Sequence, residues 1–287
     1  MFSRVLASLQ YLLPRRLLTA FVYRMTRIRV PRIKDAMIRG FVRLYDVKLD
    51  EVRGDVPDGF ATFNDFFIRE LAEDARSVDD DPASIVSPVD GTVSEAGRLN
   101  GNSILQAKGI EYSLDDLFAI DLEEAHGYSN GRFATIYLAP YNYHRVHMPI
   151  DGRLTEAHYV PGDLFSVNAA TASLIPGLFA RNERLNLTFE TDRGPATLIF
   201  VGALNVGSIS TPWTGEIRPR KRGVVETLQL GDAPRDLKKG DLLGWFNMGS
   251  TVILLLPDGV AEWGEMLLAG ETVRMGGKIG VLTDAAP

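Results

Sequence analysis

Between Phe2 and Ile28 the apolar positions fall into two runs at helical spacing. Phe2, Val5, Leu6, Leu9, Leu12 and Leu13 make the first, and Leu17, Leu18, Phe21, Val22, Met25 and Ile28 make the second. Pro14-Arg15-Arg16 separates them, which predicts two short helices and leaves neither run long enough to span a bilayer. Met37, Ile38, Phe41, Val42 and Tyr45 continue the pattern as another helix. A further helix is expected in TFNDFFIREL, where Thr62 and Asp65 stand at the separation that lets an N-cap hydroxyl meet the N3 amide.

Near residue 80 the pattern changes. RSVDDDPASIVSP is acidic and contains proline, and beyond it short β-rich runs alternate with Gly, Pro, Asn and Asp. RFATIYLAP, RLTEAHYVPG and LNLTFETDRGPATLIFVGALNVGSI read as strands, the last folding back at Thr191-Asp192-Arg193-Gly194. Val252 to Leu256 is an unbroken apolar run of the kind a buried strand requires. One helix interrupts, in YSLDDLFAI, where Ser113 and Asp116 again have capping spacing. The expected fold class is α+β: N-terminal amphipathic helices in residues 1–80, then a mainly antiparallel β body in 81–287.

Charge separates the two parts further. Eight cations and no acid precede Asp35, so the chain's net charge of −6 leaves −14 on the remainder. Arginines set between apolar helix positions suit a helix lying in the headgroup layer of an anionic membrane. The acidic body argues against a nucleic-acid partner. No small-residue cleavage site of the export type follows the apolar head, so the expected location is peripheral, on the cytoplasmic face of an inner (plasma) membrane. The chain has no cysteine, which removes disulfides, thiolate catalysis and cysteine metal ligands.

Gly249-Ser250-Thr251 stands at the head of the apolar run. A turn would account for glycine and serine, and so would chemistry at the bond between them. The G-x-S-x-G elbow is absent around Ser250, so an ordinary esterase is not supported. Gly207-Ser208 has a similar local look, and spacing does not choose between the two serines. YNYHRVHMP holds His144 and His147; in an extended segment residues three apart face opposite sides, which gives the two rings different surroundings. SPVDGTVSEAG places Asp90 at a turn before Gly91, a carboxylate of the type that orients a histidine beside a serine. A metal-dependent hydrolase with His144, His147 and Asp90 as ligands is the rival enzyme class, but it lacks further ligands and does not explain Gly249-Ser250. A lipoyl- or biotinyl-type carrier domain would need an exposed lysine in a tight turn, and no such element is present at SPVDGTVSEAG.

SPVDGTVS, YHRVHMP, YVPGDLFSVN followed by LFARNER, and MGST ahead of an apolar run occur in this order in the bacterial phosphatidylserine decarboxylases. The chain resembles that family from about Leu6 to Lys278, with LASLQYLLP, TFNDFFIREL, ILQAKG and VGALNVGSI also matching. Met248 stands where leucine is more usual. The resemblance implies self-cleavage between Gly249 and Ser250: the Ser250 hydroxyl attacks the Gly249 carbonyl, and a pyruvoyl group is left at position 250. It maps the self-cleavage triad to Asp90, His147 and Ser250, with His147 taking the hydroxyl proton, and it maps decarboxylation to His144.

The activity implied is decarboxylation of phosphatidylserine to phosphatidylethanolamine through a Schiff base to the pyruvoyl group. That covalent cofactor would serve without metal or pyridoxal phosphate. The implied partners are phosphatidylserine and an anionic membrane surface reached through the N-terminal helices. The cleavage chains 1–249 and 250–287 are expected to stay associated, in a homo-oligomer. PGLFARNER, residues 176–184, either helps at the membrane interface or tucks Leu178 and Phe179 into the core. Glycine at 249, lacking a Cβ, is expected to permit a strained backbone and close approach to its carbonyl.

Overall fold

The computed structural model describes residues 10–119, 122–220, 223–265 and 267–283; the apolar run from Phe2 to Leu9 lies outside them. Pro14 precedes a helix over Arg15–Met25, and Pro31 opens a second over Pro31–Tyr45. Proline is tolerated there because the first amides of a helix have no intrahelical acceptor to lose. The short helix Phe63–Phe67 starts where capping spacing placed it, with the Thr62 hydroxyl accepting from the Asp65 amide at 3.1 Å. Phe63, Phe66 and Phe67 pack with Ile38, Val47, Val52 and Phe60 into a small core of their own, and Met248 closes against it. The helical part therefore bears directly on the segment before Ser250.

The body is antiparallel, so the chain as a whole is α+β. Its large sheet runs in the order Glu226–Thr227, Gly152–Val160, Arg184–Thr191, Gly194–Val201, Ser250–Leu256, Arg132–Leu138, Gly91–Arg98, Thr272–Val273. Ser250–Leu256 is central and buried along its whole length, which is why its sequence is an apolar run without alternation. Ser250 pairs with Leu138, and Thr251 pairs with Tyr137 on one side and Val201 on the other. The hairpin closes as the turn residues suggest: Thr191 pairs with Gly194 across Asp192-Arg193, and Gly194 takes a φ of +104°. Leu114–Phe118 is the interrupting helix, with the Ser113 hydroxyl accepting from the Asp116 amide at 3.0 Å.

A smaller sheet has the order Gly215–Ile217, Ile209–Thr211, Leu242–Phe246, Arg145–His147. The chain leaves it at Phe246 and joins the large sheet at Ser250, so Asn247–Gly249 is a crossing between sheets. Both histidines belong to the Arg145–His147 edge or its first neighbour, and this edge brings them to the crossing.

The structure adds a detail at the first helix and decides between the two alternatives for residues 176–184. In the first described helix Arg15 and Arg16 turn toward the body, Arg15 to Asp163 at 3.6 Å and Arg16 to the Gly162 carbonyl at 2.9 Å. Two of its large apolar side chains face outward instead, Leu17 72% exposed and Phe21 61%, as do Leu12 before it at 82% and Leu44 on the second helix at 74%. Arg15 and Arg16 thus hold the start of the helix to the acidic body, and part of its apolar surface is left outside. Leu178 and Phe179 are both fully buried, so PGLFARNER follows the core alternative and offers no apolar surface there.

Candidate active site

Asn247 fixes the crossing. Its side-chain amide donates to Ser208 Oγ at 2.8 Å and Ser210 Oγ at 3.0 Å, and its Oδ1 accepts from Asn64 Nδ2 at 2.9 Å. Its backbone exchanges hydrogen bonds with the Gly207-Ser208 segment, accepting from the Gly207 amide at 3.1 Å and donating to the Ser208 carbonyl at 2.9 Å. Met248, next in line, has φ +116°, a conformation that costs a non-glycine residue about 1–3 kcal/mol. Strain was expected at Gly249; it falls one residue earlier. A Cβ on Gly249 would lie 3.5 Å from the Leu138 carbonyl oxygen and 3.6 Å from His144 Nε2, ordinary contact distances, so the glycine is not demanded by space.

The two candidate serines differ in what their hydroxyls do. Ser208 Oγ donates to the Glu216 carboxylate and accepts from Asn247, so it is fully occupied in structure. Ser250 is fully buried and its Oγ has no partner. A buried hydroxyl left unpaired costs free energy, and such a group is a natural place to look for reactivity. Thr251 Oγ1 is also unpaired, but its hydroxyl belongs to the strand residue following the serine.

His144 is the histidine beside the bond. Its Nδ1 donates to the Asn142 carbonyl at 2.8 Å, because a carbonyl can only accept, and this leaves the lone pair on Nε2. That Nε2 is buried without a partner and faces Gly249. The ring lies 4.1 Å from the Phe67 ring, centroid to centroid. Burial pulls its pKa down to about 3, the Arg69 charge adds to this, and the bond to Asn142 opposes both. The ring is accordingly neutral at pH 7.

His147 sits apart. Its Nδ1 donates to the Gly240 carbonyl at 2.8 Å, and its Nε2 accepts from the Tyr143 hydroxyl at 3.0 Å with the two rings stacked. Burial lowers its pKa, and the Gly240 bond works the other way. Asp90 accepts from Arg76 Nε at 2.9 Å, again from the other end of that guanidinium, and from the Met275 amide at 2.9 Å. Arg76 also donates to Glu51 at 2.9 Å, and these bonds raise its pKa against the opposing effect of burial. Asp90 thus acts on His147 through space, favouring its charged form, while its hydrogen bonds are spent on Arg76 and the backbone.

The structure thus brings His144 to Gly249-Ser250, and Asp90, Tyr143 and His147 to one neighbourhood beside it. Among the described residues, His144, His147 and Asp90 do not converge as metal ligands; the group whose ligand atoms do converge is Glu156 and His158 on the Gly152–Val160 strand with Glu124 of the short helix Leu122–His126. Asn64, Asn247, Arg76 and Tyr143 were not singled out in the sequence. Tyr143 lay inside YNYHRVHMP, where its place next to two histidines was the only available signal.

Residues 63–281, which hold Asp90, His144, His147, Gly249 and Ser250, match the family model described as phosphatidylserine decarboxylase, and residues 6–46 match a second model described as PSD. The chain is 45% identical over 283 residues to the phosphatidylserine decarboxylase proenzyme of Alcanivorax borkumensis, covering 98% of this chain and 97% of that one. The proenzyme of Saccharophagus degradans is 43% identical over 281 residues, 97% and 98% of the two chains. That of Legionella pneumophila is 41% identical over 287 residues, 99% and 100%. Similarity of this extent, running through both the helices and the β body, means that the chain belongs to the phosphatidylserine decarboxylase family.

Proposed function

We propose that this chain is a self-processing, pyruvoyl-dependent phosphatidylserine decarboxylase that cuts itself between Gly249 and Ser250. One observation carries the reading: two buried polar atoms, Ser250 Oγ and His144 Nε2, are left without partners at the same peptide bond. A serine that must first attack and then lose its oxygen fits this environment, since no hydrogen bond holds it back. Family membership supplies the substrate class.

In the cleavage, Ser250 Oγ adds to the Gly249 carbonyl carbon and the C–N bond breaks, turning the amide into an ester. Loss of the Ser250 α-proton and scission of its Cβ–O bond release chain 1–249 as a carboxylate and leave a dehydroalanine. Water converts that residue into a pyruvoyl group and ammonia. His147, neutral and with its lone pair on Nε2, takes the serine proton when it gives up the Tyr143 hydroxyl, and Asp90 favours the charged ring. The strain at Met248 is relieved when the chain is cut one residue further on.

The pyruvoyl group supplies a ketone that takes the substrate amine and the electron pair freed when carbon dioxide leaves. His144 stands beside position 250 in a water-poor wall with Phe67, placed to move a proton to the substrate carbon. Chains 1–249 and 250–287 stay together because Ser250–Leu256 is hydrogen-bonded on both sides within the large sheet and Lys278–Leu282 pairs with Ser84–Val86. The outward Leu12, Leu17, Phe21 and Leu44 form the surface that meets the membrane, peripherally, since no helix of the described residues is long and apolar enough to cross one.

Phosphatidylserine in mixed micelles is the test substrate. Carbon dioxide release is expected, abolished by prior treatment with hydroxylamine, which captures the ketone, and unaffected by a chelator. Loss with the chelator and resistance to hydroxylamine would instead support the metal-dependent class.

A further inference from the structure

Arg69 follows the Phe63–Phe67 helix and is 5% exposed. Its guanidinium lies 5.2 Å from the Phe66 ring centroid, and one terminal nitrogen donates to the Tyr141 carbonyl at 3.0 Å. Nε and the other terminal nitrogen are buried with no partner, and among the described residues no carboxylate stands within ion-pair distance. The neighbouring cations are provided for: Arg76 is held by Asp90 and Glu51, and Arg274 by Glu51. A buried guanidinium with two unmet donors is unstable unless something anionic completes it.

Arg69 also lines a cavity of about 400 Å³ together with Asn142, Tyr143, Asp90, Tyr45 and Lys48. On one wall Asn142 also accepts from His144 Nδ1 through its backbone carbonyl, so the cavity and the histidine beside Gly249 share a residue. Another wall is the C-terminal end of the Pro31–Tyr45 helix, next to the outward Leu44 on the apolar surface. A lipid lying with its chains along that surface would bring its headgroup into this cavity.

We propose that Arg69 is the anion-recognising residue of the substrate site and that its ligand is the phosphodiester of the phosphatidylserine headgroup. This rests on the function proposed above. The headgroup carries two anions, and reaction chemistry separates them. A guanidinium bonded to the carboxylate would stabilise the ground state against loss of carbon dioxide, whereas the phosphodiester keeps its charge throughout and can be held from binding to release. With burial, the guanidinium's pKa is drawn down to about 10, so it stays charged across the working range.

The wild type is compared with Arg69→Lys and Arg69→Gln, each first checked by mass for self-cleavage. Both variants are expected to cleave, and their KM for phosphatidylserine should rise at least tenfold with a smaller change in kcat. For a phosphate-free O-acylserine the KM should show no comparable rise in either variant. An unchanged KM, an equal loss on O-acylserine, or failure of both variants to cleave would overturn the assignment; the last would give Arg69 to the precursor. A measurement on the wild type alone guards against a folding defect: glycerol 3-phosphate should compete with phosphatidylserine and free serine should not. Absence of that competition also overturns it. A wild type inactive on every substrate would refute the proposed function itself, separately from Arg69.

Discussion

At the scale of single residues, the unpaired Ser250 hydroxyl and the fully bonded Ser208 hydroxyl predict opposite behaviour. Ser250→Ala should stay uncut, while Ser208→Ala should cleave to completion, both read from a denaturing gel. The histidines should separate in the same assay: His147→Ala blocks cleavage, and His144→Ala cleaves but releases no carbon dioxide. The reverse pattern would exchange their roles. His144 also predicts a pH dependence. Its folded pKa of about 3 lies below the usual histidine value, so the stabilisation from keeping it neutral is complete above about pH 6.5 and is lost as pH falls toward 3. In the uncut Ser250→Ala background, denaturant titration at pH 7 and pH 5 should show a larger loss of stability with His144 than with His144→Gln, by up to about 1.4 kcal/mol per pH unit. Residue types were legible in the sequence at Asp90, His144, His147 and Ser250. The choice between Ser208 and Ser250 was not, because it depends on Asn247 and Glu216, partners set by the sheets and not by neighbours in the chain. Arg69 was hidden for the same reason: an unpaired cation is visible only when everything around it is placed.

At the scale of elements, the sequence announced most of what formed. Thr62 and Ser113 cap the helices their spacing suggested, and the apolar run after Ser250 is the central strand. What spacing could not announce is that Asn247–Gly249 crosses from one sheet to another, since sheet membership is decided by pairing partners far away in the chain. That crossing is anchored by Asn247, so Asn247→Ala should slow self-cleavage at least tenfold in a time course after refolding, while leaving Ser208 and Ser210 without their donor. Thr62→Ala removes a cap worth about 1 kcal/mol and should lower the denaturation midpoint of the Ser250→Ala protein with an unchanged slope. A crossing that tolerates Asn247→Ala at full rate would mean that Met248 and Gly249 hold their conformation without it.

At the scale of the whole molecule, charge and hydropathy divide the labour between head and body. The basic, amphipathic character of the head was legible, but the side it turns to the body was not: Arg15 and Arg16 bind the acidic body and Leu17 and Phe21 face out. Leu17→Glu with Phe21→Glu should therefore cut sedimentation with anionic vesicles at least tenfold while cleavage proceeds normally, since each exposed side chain contributes about 1.5–3 kcal/mol when fully buried in an apolar phase. The body's architecture would let a chain cut at the proposed bond remain one protein, because that bond lies at the start of a strand held by two neighbours. The most direct test of the account is denaturing mass spectrometry of freshly purified protein beside Ser250→Ala. Two species are predicted from the wild type: chain 1–249 ending in a free carboxylate, and chain 250–287 lighter by one ammonia than the same peptide beginning with serine. The Ser250→Ala protein should give one intact chain. An intact wild type, a cut at another bond, or a second chain beginning with unmodified serine would contradict it.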